Sequence, residues 1–366
     1  MIAMESLTGI LLPCIIALYV AAWLYLRKIF LNQTSVPLQN EPTTIEAIGE
    51  DFDWEKAEPR PIRPFKGKKI YKINMGISNL AQTPEDWLLI ENSYLKSIEI
   101  RKSVTTEFPK NTVYVHNSPE THLAVREFYD KVLKYMCERY PQYFAITEKG
   151  HVHNKITSTT LPIASETDPR DLILSLAANI EEDFLILMKD NPSDPNEEYK
   201  SRASLTGFPA GFDPSEGHNK PISFIHSPVP QYESKLKLSM GKFFNRLESK
   251  DLWCRHNWSI QTHKARFSLA NNHAYEGQKV EQLKYEDIDF EEGAFLRVER
   301  QILTRLPHSR ANIMTVRTFL TPLKQIKEEG LSNELCDAID GLPDDVAFYK
   351  KRGAWGEAVK QYLREP

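Results

Sequence analysis

Three kinds of hydrophobic pattern succeed one another along the chain. The first is an unbroken apolar run over residues 7–26, closed by Arg27 and Lys28. About 20 such residues in a helix span a bilayer core, and a proline near the start of a span is tolerated. The five residues from Met1 to Glu5 lack a basic group, and the run is long for a secretion signal,. The pattern therefore predicts an uncleaved single-pass anchor, with Arg27 and Lys28 placing the rest of the chain in the cytosol. Residues 32–68 are polar and carry Pro37, Pro42, Pro59, Pro61 and Pro64, which reads as a stiff linker from which Phe52 and Trp54 pack back on the domain,.

The second pattern has helical period. Leu88, Leu89, Tyr94, Leu95 and Ile98 predict a helix over 87–102, headed by Thr83 and Pro84,. Residues 119–139 repeat the signature with Ser118 as cap, and further helices are expected over 172–180, 232–247 and, as one or two amphipathic helices, 332–364,. The third pattern is β-type. It predicts strands over 184–188, 254–260, 295–303 and 313–319, and a strand, a turn and a short apolar run over 204–225,. Helices early and strands late point to an α+β fold with an antiparallel sheet and flanking helices. Residues 69–325 read as the main domain, 271–289 as a loop or lid within it, and 326–366 as a helical extension.

Composition narrows the function. A net charge of -4 with no basic face excludes nucleic acid as the main partner,. The four cysteines, Cys14, Cys137, Cys254 and Cys336, have no close spacing, so neither a zinc site nor a disulfide framework is encoded,. Dinucleotide and phosphate-binding glycine loops are absent, so reducing equivalents would have to come from another protein.

An apolar strand through Ile222, Phe224 and Ile225 is expected to deliver His226 into Ser227-Pro228-Val229-Pro230, whose prolines fix the backbone behind the imidazole,. It reads as a metal ligand or as a hydrogen-bonded turn histidine. His256 is a second candidate, facing away from Arg255 and Asn257 if residues 254–260 are a strand. In the strand over 295–303, Arg297, Glu299 and Gln301 share one face and Val298 and Arg300 the other,. Glu299 is either a cross-strand ion-pair partner of Arg297 or an anchor for a cation. Arg255, Arg300, Arg305 and Arg317 are candidates to hold carboxylates, and Asn257 and Ser259 share a face that could join them. Cys254 reads as a buried structural thiol, with thiolate ligation as the alternative. His151 and His153 lack an evident third metal ligand, and His116, His122, His218, His263, His273 and His308 sit in polar surroundings expected at the surface,.

Several of these pieces occur together in order: Met75-Gly76 with Trp87 and Tyr94, Glu182-Asp183, Gly207-Phe208-Pro209, and Ile225-His226 with Pro228-Val229-Pro230. Asn257-Trp258-Ser259, Arg297 with Glu299-Arg300-Gln301, and Arg305-Leu306-Pro307 continue the series. The set resembles the family related to the alpha subunit of haem-dependent oxidative N-demethylase. That resemblance implies a PAS-like sheet, haem b, and oxidative attack on a small amine using dioxygen and electrons from NAD(P)H through a partner reductase. It also implies His226 as axial ligand, Glu299 as amine anchor, and Arg255, Asn257, Arg300 and Arg305 as pocket or propionate contacts. The anchor resembles the layout of microsomal monooxygenases, which places the protein at the endoplasmic reticulum. A haem-PAS gas sensor and a scaffold without haem remain the alternatives.

Overall fold

A computed structural model describes residues 45–67 and 74–365. Seven antiparallel strands form one sheet in the order β1-β8-β9-β10-β6-β7-β2, and β3-β4-β5 form a small second sheet. The strands of the large sheet are β1 (Ser78–Asn79), β2 (Val113–Val115), β6 (Asp183–Met188), β7 (Lys200–Leu205), β8 (Trp253–Gln261), β9 (Phe295–Arg305) and β10 (Asn312–Pro322). Those of the small sheet are β3 (Phe144–Ile146), β4 (Val152–Asn154) and β5 (Thr159–Leu161). The α+β expectation and the four long strands agree with this. No helix of the described residues is long and apolar enough to cross a membrane. The expected anchor lies outside the described residues.

Helices cover the back of the large sheet. Here α1 (Tyr94–Glu107), α3 (Pro119–Arg139) and α4 (Pro169–Ala177) meet Phe184, Ile186, Ala203, Leu205, Ile302 and Ile313 in one core. Ser118 caps α3 as its position suggests, its hydroxyl accepting from the Thr121 amide at 3.2 Å,. A second core on the same face joins Trp258, Ile260, Leu296, Val298 and Phe319 to α7 (Leu323–Glu328), α8 (Ser332–Asp340), α9 (Asp344–Tyr349) and α10 (Arg352–Arg364). The C-terminal residues are therefore part of the domain and not an appendage to it. Residues 45–67 also dock. Phe65 is buried in the second core, Tyr143 donates to the Phe52 carbonyl at 2.8 Å, and Arg63 pairs with Glu329. This half of the expected spacer has enough aromatic surface to bind its own domain.

The helix expected over 87–102 begins only at Tyr94, after a one-turn 3-10 helix at Pro84–Asp86. Trp87, Leu88, Leu89 and Ile90 are all buried, but side chains take their backbone groups. Tyr140 accepts from the Ile90 amide and donates to the Leu88 carbonyl, Glu182 accepts from the Leu89 amide, and Arg317 donates to the Leu89 carbonyl. With those partners the stretch needs no helix to satisfy its buried polar groups. The apolar run ending at Ile225 is likewise not a strand. Pro221 precedes a single helical turn, α5 (Ile222–Ile225), with His226 as its C-cap.

Candidate functional site

The front of the sheet divides into an apolar end and a polar floor. At the apolar end Leu185, Leu187, Leu303 and Met314 pack under Tyr232, Met240 and Phe244, the last two from α6 (Lys237–Arg246). The floor is set by the β8–β9 register, which puts Arg255 opposite Gln301, Asn257 opposite Glu299 and Ser259 opposite Arg297. Alternation then turns these residues to one side, as the sequence pattern predicts.

Glu299 is the centre of the floor. Its Oε2 accepts from Gln301 Nε2 at 3.1 Å and more weakly from Asn257 Nδ2 at 3.5 Å. Each amide is turned by a cation on its oxygen: Arg255 donates to Gln301 Oε1 at 3.1 Å and Lys350 donates to Asn257 Oδ1 at 3.2 Å. The other carboxylate oxygen faces Arg297 Nε at 3.8 Å, beyond hydrogen-bonding distance,. Arg297 is committed elsewhere, to the carbonyl of Phe208 at 2.5 Å and to Gln261 at 3.1 Å. The result is a carboxylate hydrogen-bonded on one oxygen and, on the other, ion-paired with Arg297 but open to a hydrogen-bond donor.

The Gly207-Phe208-Pro209 segment passes over this floor because Asp183 accepts both the Gly207 and Phe208 amides, at 2.9 and 2.8 Å. A Cβ at Gly207 would lie 3.0 Å from the Arg101 side chain, which also binds Asp183, so any larger residue would have to displace that arginine. Arg101 and Arg266 flank the Phe208 ring at 4.5 and 5.6 Å,.

Four segments form a rim. Gln231 donates to Asp345 at 2.6 Å, His273 stacks on Tyr349 at 4.4 Å, Tyr275 reaches the Gly211 carbonyl at 3.4 Å, and Phe208 meets Arg297 as above. Phe212, Tyr275 and Phe348 on these segments stay 42, 37 and 40 % exposed. His226 lies on the first rim segment. Its Nδ1 is 3.0 Å from the Ile222 carbonyl, which can only accept, so Nδ1 carries the proton,. Burial lowers its proton affinity; the Ile222 carbonyl opposes this and Arg255 adds to it,. The ring stacks on Tyr232 at 5.0 Å, and burial favours its neutral form, in which the lone pair is on Nε2.

The remaining candidates are placed elsewhere. Arg300 points to the back, donating to the carbonyls of Asp86 and Trp87 between the two cores. Arg305 is spent at the far end of β9 on the Arg310 and Leu247 carbonyls and the Tyr199 hydroxyl, and Arg317 on buried carboxylates. His256 is on the back face 3.7 Å from Cys254 Sγ. His151 and His153 meet the Leu161 carbonyl and Thr160, and no group of metal-ligating side chains occurs among the described residues. His273, expected at the surface, is buried, and burial together with Lys350 and Arg297 presses its pKa down to about 3. Lys350 was not singled out by the sequence at all. Two hollows of about 380 Å³ lie against the C-terminal helices, one beside His263 and Trp355, the other beside Asp340 and Lys360; His226 and Glu299 line neither.

The model of the family described as haem-dependent oxidative N-demethylase, alpha subunit-like, matches residues 76–360. The chain belongs to that family. No curated protein matches it individually. The family match takes in β1 to β10 and reaches into α10, so it includes both the Glu299 floor and Lys350.

Proposed function

We propose that the front of the sheet binds haem b with His226 as axial ligand and holds a cationic amine on Glu299 for oxidative N-dealkylation. The observation that carries this reading is the Glu299 carboxylate, fixed on Oε2 by two oriented amides and open on Oε1. A half-buried carboxylate oxygen free of hydrogen bonds suits an ammonium donor, whose charge-assisted hydrogen bond is about twice as strong as a neutral one,.

The residues present fit haem. A histidine that gives its Nδ1 proton to a backbone carbonyl has the usual arrangement of a metal-bound imidazole, with ring angle and tautomer set by the carbonyl. Around the floor lie three cations, Arg255, Arg297 and Lys350, and one carboxylate, an excess of two positive charges (three minus one) whose field suits two propionates. The half-exposed rings of Phe212, Tyr275 and Phe348 offer apolar surface to a macrocycle. Haem would supply activation of dioxygen, with electrons delivered from NAD(P)H through a separate reductase. The chain's own part is to anchor the amine at Glu299 Oε1 and orient it, with Glu299 Oε2 held by Asn257 and Gln301. The PAS-like part of the reading is supported by the central strand order β7-β6-β10-β9-β8, the second, first, fifth, fourth and third of five. A membrane anchor on residues 7–26, at the endoplasmic reticulum, would bring the domain beside a membrane-bound reductase.

The test is the visible absorption spectrum of the purified protein after expression with added haem precursor. Wild type is expected to show a Soret band that shifts or is lost in His226→Ala and is unchanged in His256→Ala. A Soret band insensitive to His226→Ala places the ligand elsewhere, and no Soret band at all overturns the enzyme and gas-sensor readings together.

A further inference from the structure

Lys350 comes directly after α9, and the C-terminal segment carries it around the edge of β8, which β1 covers only at Trp253 and Cys254. It is 93 residues from Asn257 in the chain, and its side chain is buried. Among the described residues it forms no ion pair within 4.0 Å, although Glu299 and Arg255 act on it through space. Its Nζ donates to the Trp258 carbonyl at 2.5 Å and to Asn257 Oδ1 at 3.2 Å. A lysine has donors and, when charged, no acceptor, so the Asn257 oxygen must face it. The amide nitrogen then faces Glu299 Oε2. A turned amide would set oxygen against carboxylate. Arg255 and Gln301 form the mirror of this arrangement on the other side of Glu299.

We propose that Lys350 is a positioning residue of the Glu299 site: it locks the Asn257 amide with its N–H toward the carboxylate, which keeps Glu299 Oε1 turned to the amine substrate. This rests on Glu299 as the amine anchor. The C-terminal helices thereby contribute to the site as well as to the core. The cost of burying Lys350 is evident in its pKa, which desolvation pulls down to about 8 against the attraction of Glu299,.

The experiment uses the full-length protein carrying ¹⁵N-asparagine, in which the Asn257 side-chain amide is assigned by its disappearance in Asn257→Ala. Its resonances are expected to move in Lys350→Met and in Glu299→Gln, and to return toward the wild-type position in Lys350→Arg. Calorimetric affinity for dimethylammonium is expected to fall about tenfold in Lys350→Met, with no further loss when that change is made in Asn257→Ala. Resonances that stay in place in Lys350→Met but move in Glu299→Gln overturn the proposal. So does an equal loss of affinity in the Asn257→Ala background. Should wild type bind no dimethylammonium, the amine reading fails while the amide resonances still decide the role of Lys350. If Lys350→Met does not fold, Lys350→Gln fills the space without the charge and is read in the same way.

Discussion

On the back of the sheet one guanidinium, Arg317, faces three carboxylates; on the front one carboxylate, Glu299, faces three cations. The back cluster is closed except at Glu182 Oε2, which has no hydrogen-bond partner among the described residues. Arg317 binds Glu91 at 2.5 Å, Glu181 at 2.6 Å and the Leu89 carbonyl at 2.8 Å, and it lies 3.5 Å from Glu182. Burial pushes the Glu182 carboxyl up, against the pull of Arg317 and with the repulsion of Glu181. All four groups sit between the two apolar cores, where they fix the buried 86–91 segment against the sheet. The front cluster is held just as firmly at its periphery, by Phe208, Gln261, Gln301 and Asn257, but leaves one oxygen of the central carboxylate without a hydrogen bond from the described residues, 3.8 Å from Arg297 Nε. The difference separates a structural network from a binding site. A guanidinium fully occupied by buried partners serves rigidity, whereas a partly exposed carboxylate with one oxygen free of hydrogen bonds suits a ligand.

The largest effect expected from this contrast is on stability. Arg317→Met strands three buried carboxylates and is expected to cost about 3–5 kcal/mol in denaturant unfolding. Glu299→Gln removes no comparable pairing and is expected to cost less than about 1 kcal/mol. A Glu299→Gln loss as large as that of Arg317→Met would erase the distinction between the faces.

Next in size is a pH effect at the front. The folded-state pKa of Lys350 is lowered from 10.5 to about 8, so between these values the unfolded chain binds more protons than the folded one. Stability therefore rises with pH through that window, relative to pH 7. Unfolding free energies of wild type and Lys350→Met from pH 7 to 10.5 check this. The expected result is a wild-type gain over the variant as pH increases. A difference that stays flat would mean that the lysine is not desolvated as described.

How much of this was legible from sequence depends on the range of the contacts involved. The strands around Glu299 were readable because alternation is local: Arg297, Glu299 and Gln301 had to share a face, as did Arg255 and Asn257 once β8 was a strand. The cap at Ser118 is equally local. The helical reading of 87–93 failed because distant side chains, Tyr140, Glu182 and Arg317, supply its hydrogen bonds. Arg300 and Arg305 looked equivalent to Arg255 in composition, but Arg300 lies on the opposite face and Arg305 at the far end of the strand, beside backbone carbonyls. Lys350 and His273 carry no periodic signal at all. Their burial arises when the C-terminal helices close over the edge of β8, a packing event that no local window records. Residues 45–67 were legible in part: their prolines suggested a spacer, Phe52 and Trp54 pack back as expected, and the docking of Phe65 was not foreseen.

The smallest perturbation asks the most direct question. Haem-loaded protein is titrated with dimethylammonium while the Soret band is monitored, in wild type and in Glu299→Gln. The expected result is a saturable spectral change in wild type, and in Glu299→Gln a normal haem spectrum whose amine response is weakened at least about tenfold. An amine response in Glu299→Gln equal to that of wild type would contradict the assignment of the open carboxylate as the substrate anchor.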